Sequence, residues 1–248
     1  LLLALGIGPL HGGLIREYFG MNASYNAMGI LALITCLLVI IFLPSDKQRQ
    51  GAGGGQSLYS IRKMLSHRVV LGIFLMRLLT ASGQGAVYTF LPILALQLKL
   101  TSSQVGIILG ANIFLIAFLQ RTCGALADRV NPKYLIILGT LASGMTVLGM
   151  PFVEGFWMIL FLNILMGMAN GVSLPGGLVI TGKLGRTMGM ASLMSLTDAA
   201  WSLGMIVSPV VSGIILDMFG LSHVFVIGSL LITAGGILVA FFLRDYQS

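Results

Sequence analysis

Apolar residues run for whole helix lengths along this chain, and polar residues collect between the runs. The runs cover residues 1–16, 23–43, 68–91, 102–121, 133–151, 155–180, 187–217 and 222–243. A helix of roughly 20 apolar residues spans the hydrocarbon core of a bilayer. Inside that core every backbone N–H and C=O must be bonded within the chain, so runs of this length are expected to be helices. The pattern predicts eight crossings, the first of them truncated. The punctuation agrees: "YFGMNASY" (18–25) reads as a tight Gly/Asn turn, "DKQRQGAGGGQS" (46–57) as a flexible linker, and "MPFVEGFW" (150–157) as a short Pro/Gly link. The opening "LLLALGIG" has no Met and starts inside a helix, so the chain is expected to be a fragment lacking N-terminal sequence.

Composition narrows the class. Mean hydropathy is +1.00, and only 8% of residues are charged against 57% hydrophobic. Soluble domains carry about 25% charged residues, so this chain has too little polar surface to face water. The net charge of +7 does not indicate nucleic acid, because the basic residues form short clusters between apolar runs rather than a stripe interleaved with aromatics. Their placement sets an orientation instead. With the 44–67 linker in the cytoplasm, Lys47, Arg49, Arg62, Lys63, Arg68, Arg121, Arg129, Lys133, Lys183, Arg186 and Arg244 fall inside, while Arg16 and Lys99 fall outside. Eleven against two satisfies the positive-inside rule, and the C-terminus is then cytoplasmic too. Within "SLYSIRKMLSHR" (57–68), Leu58, Ile61 and Leu65 have helical spacing, consistent with a short helix at the cytoplasmic interface or with the end of a solvated linker.

The chain also repeats itself. Residues 1–43 aligned without gaps on 201–243 share eleven identities: Leu3, Pro9, Gly13, Ile15, Phe19, Gly20, Leu31, Leu38, Val39, Phe42 and Leu43. The Pro, Gly and Phe-Gly landmarks carry the match, since they are not apolar filler. A 200-residue period with six crossings per copy implies two parallel six-helix halves, one of the layouts that transporters use.

Three stretches give this layout a family. "GPLHGG" (Gly8, Pro9, Gly12, Gly13) resembles the fifth-helix motif of the major facilitator superfamily, with Ala4 where the family pattern has an upstream Gly. "GALADRVNPKYL" resembles its loop between the eighth and ninth helices, with Gly124, Asp128, Arg129 and Lys133 matching and Asn131 in place of a turn Gly. "GRTMGMASLMSLTDAAWSLGMIVSPVVSGIILDMFG" (185–220), which includes Pro209 and Gly213, resembles the loop and eleventh helix that mirror the fifth. The resemblance implies an all-α integral membrane bundle running from the fifth helix to the twelfth. Residues 1–43 would end one half, 44–67 link the halves, and 68–248 form the other half. It implies antiport from the fifth-helix motif, close helix approach at the glycines, a left-handed turn at Asn131, and Asp128 as a helix cap and latch on the cytoplasmic side.

Candidate chemistry lies among the polar residues inside the runs, which are costly in lipid and normally face a cavity or a partner helix. Arg77 and Gln84 fall in 68–91, Asn112 in 102–121, Asn163 and Asn170 in 155–180, and Asp198 in 187–217. These four helices are expected to surround a polar substrate cavity. The runs 133–151 and 222–243, without Asn, Gln or charge, are expected to be lipid-facing buttresses. Arg77 and Asp198 each lie about ten positions from a cytoplasmic end, roughly 15 Å deep, so they can meet. Burial favours a protonated carboxylate and a nearby guanidinium an ionised one. Asp198 is therefore the expected proton carrier and Arg77 its switchable partner, with a static ion pair as the alternative. Trp201, three residues on, shares its helix face and either packs or stacks on a cationic solute. Gly106/Gly110 and Gly167/Gly171 read as packing pairs. Cys36, Cys123 and the three His form no metal-ligand pattern, and "GAGGG" lacks the Lys-Ser/Thr of a phosphate loop. No enzyme chemistry, metal or cofactor is expected. The expected partners are a small-molecule substrate, protons and the lipid of a cell membrane, with no obligatory protein partner. The leading expectation is a proton-coupled exporter of a small amphipathic or lipophilic solute. A proton symporter importing a sugar or organic anion, and a non-transporting sensor or scaffold on the same fold, remain open.

Overall fold

The computed structural model describes residues 2–42, 61–127 and 129–244. The regular elements among them are all helical. They are α1 (Leu2–Phe42), α2 (Ile61–Leu65), α3 (Arg68–Gln97), α4 (Ser102–Ala127), α5 (Pro132–Leu148), a 3-10 turn (Met150–Phe152), α6 (Phe156–Met188), α7 (Met190–Phe219) and α8 (Leu221–Phe242). Seven are long and apolar enough to cross a membrane. The chain is thus an all-α membrane bundle.

Seven helices accommodate eight expected runs because α1 carries the first two. Its 41 residues would reach about 60 Å, twice the thickness of a hydrocarbon core, and they break at Gly20, with φ 83° and ψ 175°. The corresponding residue one repeat later, Gly220, separates α7 from α8 with φ 87° and ψ 172°. A side chain at either position would be strained by the positive φ. The 200-residue repeat is therefore present in backbone geometry as well as in letters. Pro9 and Pro209 also correspond, each inside its helix.

Helices α3 to α8 pack as one group. α3 lies between α7 and α8, α5 between α6 and α8, and α4 against α6. The buried apolar core centres on Val87, Phe90, Leu91, Ile108, Met166, Phe225 and Ile232. α5 and α8, expected to be lipid-facing buttresses, are half buttress and half core. Ile136 and Ile232 are fully buried, whereas Leu138, Leu230 and Ile237 stay exposed. The short α2 falls in the stretch expected to hold a short helix, but with a different face inward: Met64 is buried and Ile61 exposed. Leu58 and most of the linker lie outside the described residues.

α1 joins this group through α4. A Cβ at Gly13 would lie 2.6 Å from the Ser102 carbonyl oxygen, one at Gly106 2.5 Å from that of Pro9, and one at Gly110 2.6 Å from Leu10 Cγ. Backbones approach this closely only where side chains are missing. Part of the expected packing motif does not contribute, because a Cβ at Gly8, Gly12 or Gly213 would meet nothing within 4 Å. On a helix these positions point away from the α4 contact that Gly13 makes, or, for Gly213, onto an exposed flank of α7. From residue 30 to 42, α1 is exposed on all sides.

Substituting Val for Gly106 is expected to destabilise the protein by about 1–3 kcal/mol through overpacking, lowering its unfolding midpoint in detergent by about 5 °C. Gly8→Val is expected to leave that midpoint unchanged. Equal effects of the two substitutions would contradict the α1–α4 contact.

Candidate functional site

A charged cluster is built by α3 and α7. Arg77 projects from α3, and Asp198 and Trp201 from α7, one helical turn apart. The helices approach closely here because of Gly204, where a Cβ would lie 2.5 Å from the Leu78 carbonyl oxygen. Arg77 Nη2 sits 3.5 Å from Asp198 Oδ1, and its guanidinium carbon lies 5.3 Å from the centre of the Trp201 ring. The expected meeting of Arg77 and Asp198 is thus present in the geometry. The expected burial of the carboxylate is not: the Arg77 side chain is 18% exposed and that of Asp198 73%. A long, open ion pair of this kind contributes little to stability and is easily exchanged. The indole face is occupied by the chain's own cation, so Trp201 does more than fill space.

A second polar layer lies deeper. Gln84 Nε2 donates to Asn170 Oδ1 at 2.8 Å, joining α3 to α6. Asn112 Nδ2 donates to the Asn163 carbonyl oxygen at 2.7 Å, joining α4 to α6, and Tyr88 donates its hydroxyl to Asn112 Oδ1 at 3.3 Å. All four amides are at most 6% exposed. They are expected around a polar cavity, and in this structure they are buried between helices. A buried amide is stabilised by a partner amide or carbonyl, and here the helices themselves supply those partners. Asn163 Oδ1 and Asn170 Nδ2 remain buried without a hydrogen bond. Tyr88 is not singled out by its sequence context, although its place four residues after Gln84 puts both on one helix face.

In the loop motif between α4 and α5, the turn at Asn131 differs from expectation. Asp128 lies outside the described residues. Gly124 has open space around it, and Arg129 is exposed. Asn131 is not left-handed: at φ −58° and ψ 114° it is the N-cap of α5, its side chain accepting from the Lys133 N–H at 3.1 Å, with Pro132 following at the first helical position. Pro there pre-sets the helical φ and needs no donor. Lys133 Nζ donates to the Arg244 carbonyl oxygen at 3.3 Å, and Arg68 Nη2 to that of Phe241 at 3.3 Å. Two cations thus meet the carbonyl end of α8, where the helix dipole is negative.

A cleft of about 270 Å³ separates α1 from the adjoining ends of α3 and α4, lined by Gly12, Gly13, Arg16, Pro92, Val105 and Leu109 among others. No group of three or more His, Cys, Asp or Glu among the described residues is placed to hold a metal ion.

A helical membrane bundle with a two-copy repeat and an ion pair between two apolar helices suits a transporter, and comparison with known proteins specifies which kind. The model of the Major Facilitator Superfamily matches residues 73–248. The chain belongs to the Major Facilitator Superfamily. Among relatives of this superfamily member, the multidrug resistance protein MdtG of Salmonella arizonae is 24% identical over 242 residues, covering 94% of this chain and 57% of its own length. The MFS-type transporter MJ1560 of Methanocaldococcus jannaschii, itself uncharacterized, is 23% identical over 230 residues, covering 90% of this chain and 58% of its own. MdtG of Salmonella newport is 24% identical over 247 residues, with 94% and 57% covered. The chain therefore spans somewhat more than half the length of the relatives it matches.

The buried amide pair offers a stability test. Asn170→Ala leaves Gln84 Nε2 unpartnered in the core and is expected to cost roughly 1–3 kcal/mol. Replacing both residues with Leu is expected to cost less than the sum of the single replacements by about 1 kcal/mol, read from unfolding midpoints in detergent. Strict additivity would mean that the two amides do not interact.

Proposed function

We propose that this chain is the working part of a proton-coupled exporter of small amphipathic or lipophilic solutes, operating by alternating access in a cell membrane. In this reading α1 belongs to one six-helix half and α3 to α8 form the other. The segment 44–67 links them in the cytoplasm, and the C-terminus lies on the same side. The multidrug relatives and the fifth-helix motif both favour export over import.

The observation that carries the reading is the Arg77, Asp198 and Trp201 cluster. An exchangeable carboxylate and an indole together suit a lipophilic cation, and Arg77 already occupies that position at 3.5 Å and 5.3 Å. An arriving cationic solute would displace the guanidinium from both partners. Protonation of Asp198 would release either cation, because it removes the charge that holds them. Solute and proton then compete for one carboxylate, which is the minimal requirement for exchange. The four amides are the weaker part of the proposed substrate site. They help only if a rearrangement of α6 exposes Asn163 Oδ1 and Asn170 Nδ2, the two atoms left unpaired.

The test uses the full-length protein in cells loaded with a lipophilic cationic dye. Efflux is expected to stop with a proton uncoupler and to fall roughly tenfold or more in Asp198→Asn, equivalent to about 1.4 kcal/mol or more. Arg77→Gln is expected to retain dye binding and alter the pH dependence of efflux. Loss of substrate affinity in Arg77→Gln, with no dye export by the wild type, would instead favour import of an anion or sugar. Normal uncoupler-sensitive efflux in Asp198→Asn would remove Asp198 from the coupling mechanism.

A further inference from the structure

A second carboxylate among the described residues that reaches between helices sits where α1 meets the start of α4. That start is capped in two layers. Thr101 and Gln104 form a reciprocal box: the Thr101 N–H donates to Gln104 Oε1 at 2.9 Å, and the Gln104 N–H to Thr101 Oγ1 at 3.3 Å. A capping box of this type satisfies two of the free N–H groups at a helix start and leaves the ones between them open. One of those, the N–H of Ser103, donates to Glu17 Oε2 on α1 at 2.8 Å. A foreign carboxylate thus completes the cap, 86 residues away in sequence. Its negative charge faces the positive end of the α4 dipole.

The surroundings make this contact more than a surface decoration. Most of the α1–α4 interface is backbone against backbone, at Gly13 and Gly106. Such surfaces adhere through van der Waals contact, and lipid tails compete for the same groups. The Glu17 bond adds a directional tie at one end. Beside it opens the cleft that Arg16, Val105 and Leu109 help to line, so separating Glu17 from Ser103 would widen that cleft. The repeat adds a further sign: Asp217, the position equivalent to Glu17 in the second copy, is also a carboxylate.

We propose that Glu17 is a positioning residue for the transport cycle, an acidic latch that closes the α1–α4 end of the bundle by completing the N-cap of α4, and that its release opens the cleft beside it. This rests on the transport reading, in which opening and closing of the two ends alternate. It is independent of Asp198 and of the substrate. By the orientation proposed above, the latched end faces outward, since the Arg16 and Lys99 that flank it fall on the outer side.

The experiment uses full-length protein in cells, with Cys36 and Cys123 replaced by Ser and Leu109→Cys as the reporter in the cleft. A membrane-impermeant maleimide is added outside, and the labelling rate is followed. Glu17→Ala is expected to raise that rate roughly threefold, in keeping with the size of a charge at a helix end. Glu17→Gln, which keeps an acceptor oxygen and loses the charge, is expected to fall between Ala and wild type. The unfolding midpoint in detergent and labelling of a second reporter on the lipid face of α8, Ile237→Cys, are expected to stay at their wild-type values. Unchanged Leu109→Cys labelling in both Glu17 variants would overturn the latch. So would a parallel rise at Ile237→Cys, which would indicate general loosening. Labelling needs no substrate, so absence of dye efflux in wild type would remove the exporter reading and leave the latch result standing.

Discussion

Helices in a bilayer gain little by burying apolar side chains, because lipid tails are as apolar as leucine. Association must come from backbones that approach closely and from a few well-placed polar contacts, and this chain is built on that constraint. Most of its 33 glycines lie in the long helices. Those at contacts admit a neighbouring carbonyl where a methyl group would collide: Gly13 and Gly106 seat α1 on α4, and Gly204 seats α7 on α3. The charged cluster follows from this. Arg77 reaches Asp198 and Trp201 because Gly204 allows α7 to lie against α3.

The polar contacts differ in depth and in consequence. Gln84 with Asn170, and Asn112 with the Asn163 backbone, are buried and hydrogen-bonded, and a buried amide stripped of its partner is costly. They fix how α6 lies on α3 and α4. The Arg77–Asp198 pair is long and open on the carboxylate side, so it orders little and can be exchanged. The Glu17 contact is exposed as well, and it joins α1 to the group formed by α3 to α8. Rigid contacts therefore lie within that group, and the replaceable ones lie at the charged cluster and at the junction with α1. In the transport cycle proposed above, the junction with α1 is the contact that changes between parts, whereas the Arg77–Asp198 pair exchanges within the α3–α8 group.

Much of the fold was legible as letters because its rules are local. Run length predicted the helices, and Gly20 and Gly220 mark two of the breaks, whereas Pro9, Pro92, Pro175 and Pro209 lie inside helices. The 200-residue spacing of Pro9, Gly13, Phe19 and Gly20 anticipated the matching breaks at Gly20 and Gly220. Equal depth along two helices anticipated that Arg77 and Asp198 could meet. A choice stayed open wherever a residue type fitted two environments. Asn112, Asn163 and Asn170 are as well served by one another's helices as by a water-filled cavity, and only the packing chose. Asn131 is common both in left-handed turns and at N-caps, and Pro132 after it favours the cap. Gly8 and Gly12 belong to the same motif as Gly13, yet helical rotation turns them off the α4 contact.

By itself, the sequence determined the class of protein, the positions of its helices, its repeat and the residues able to carry charge into the membrane. These follow from hydrophobicity, backbone hydrogen bonding and φ/ψ preference, each of which acts over a few neighbouring residues. Only the tertiary structure decided which polar groups are spent on each other, which glycines touch a neighbour and which carboxylate caps a distant helix. Those outcomes depend on how helices rotate and slide against one another. Thr101 and Gln104 announce a capping box in four letters, but nothing near them in the chain says that Glu17 completes it.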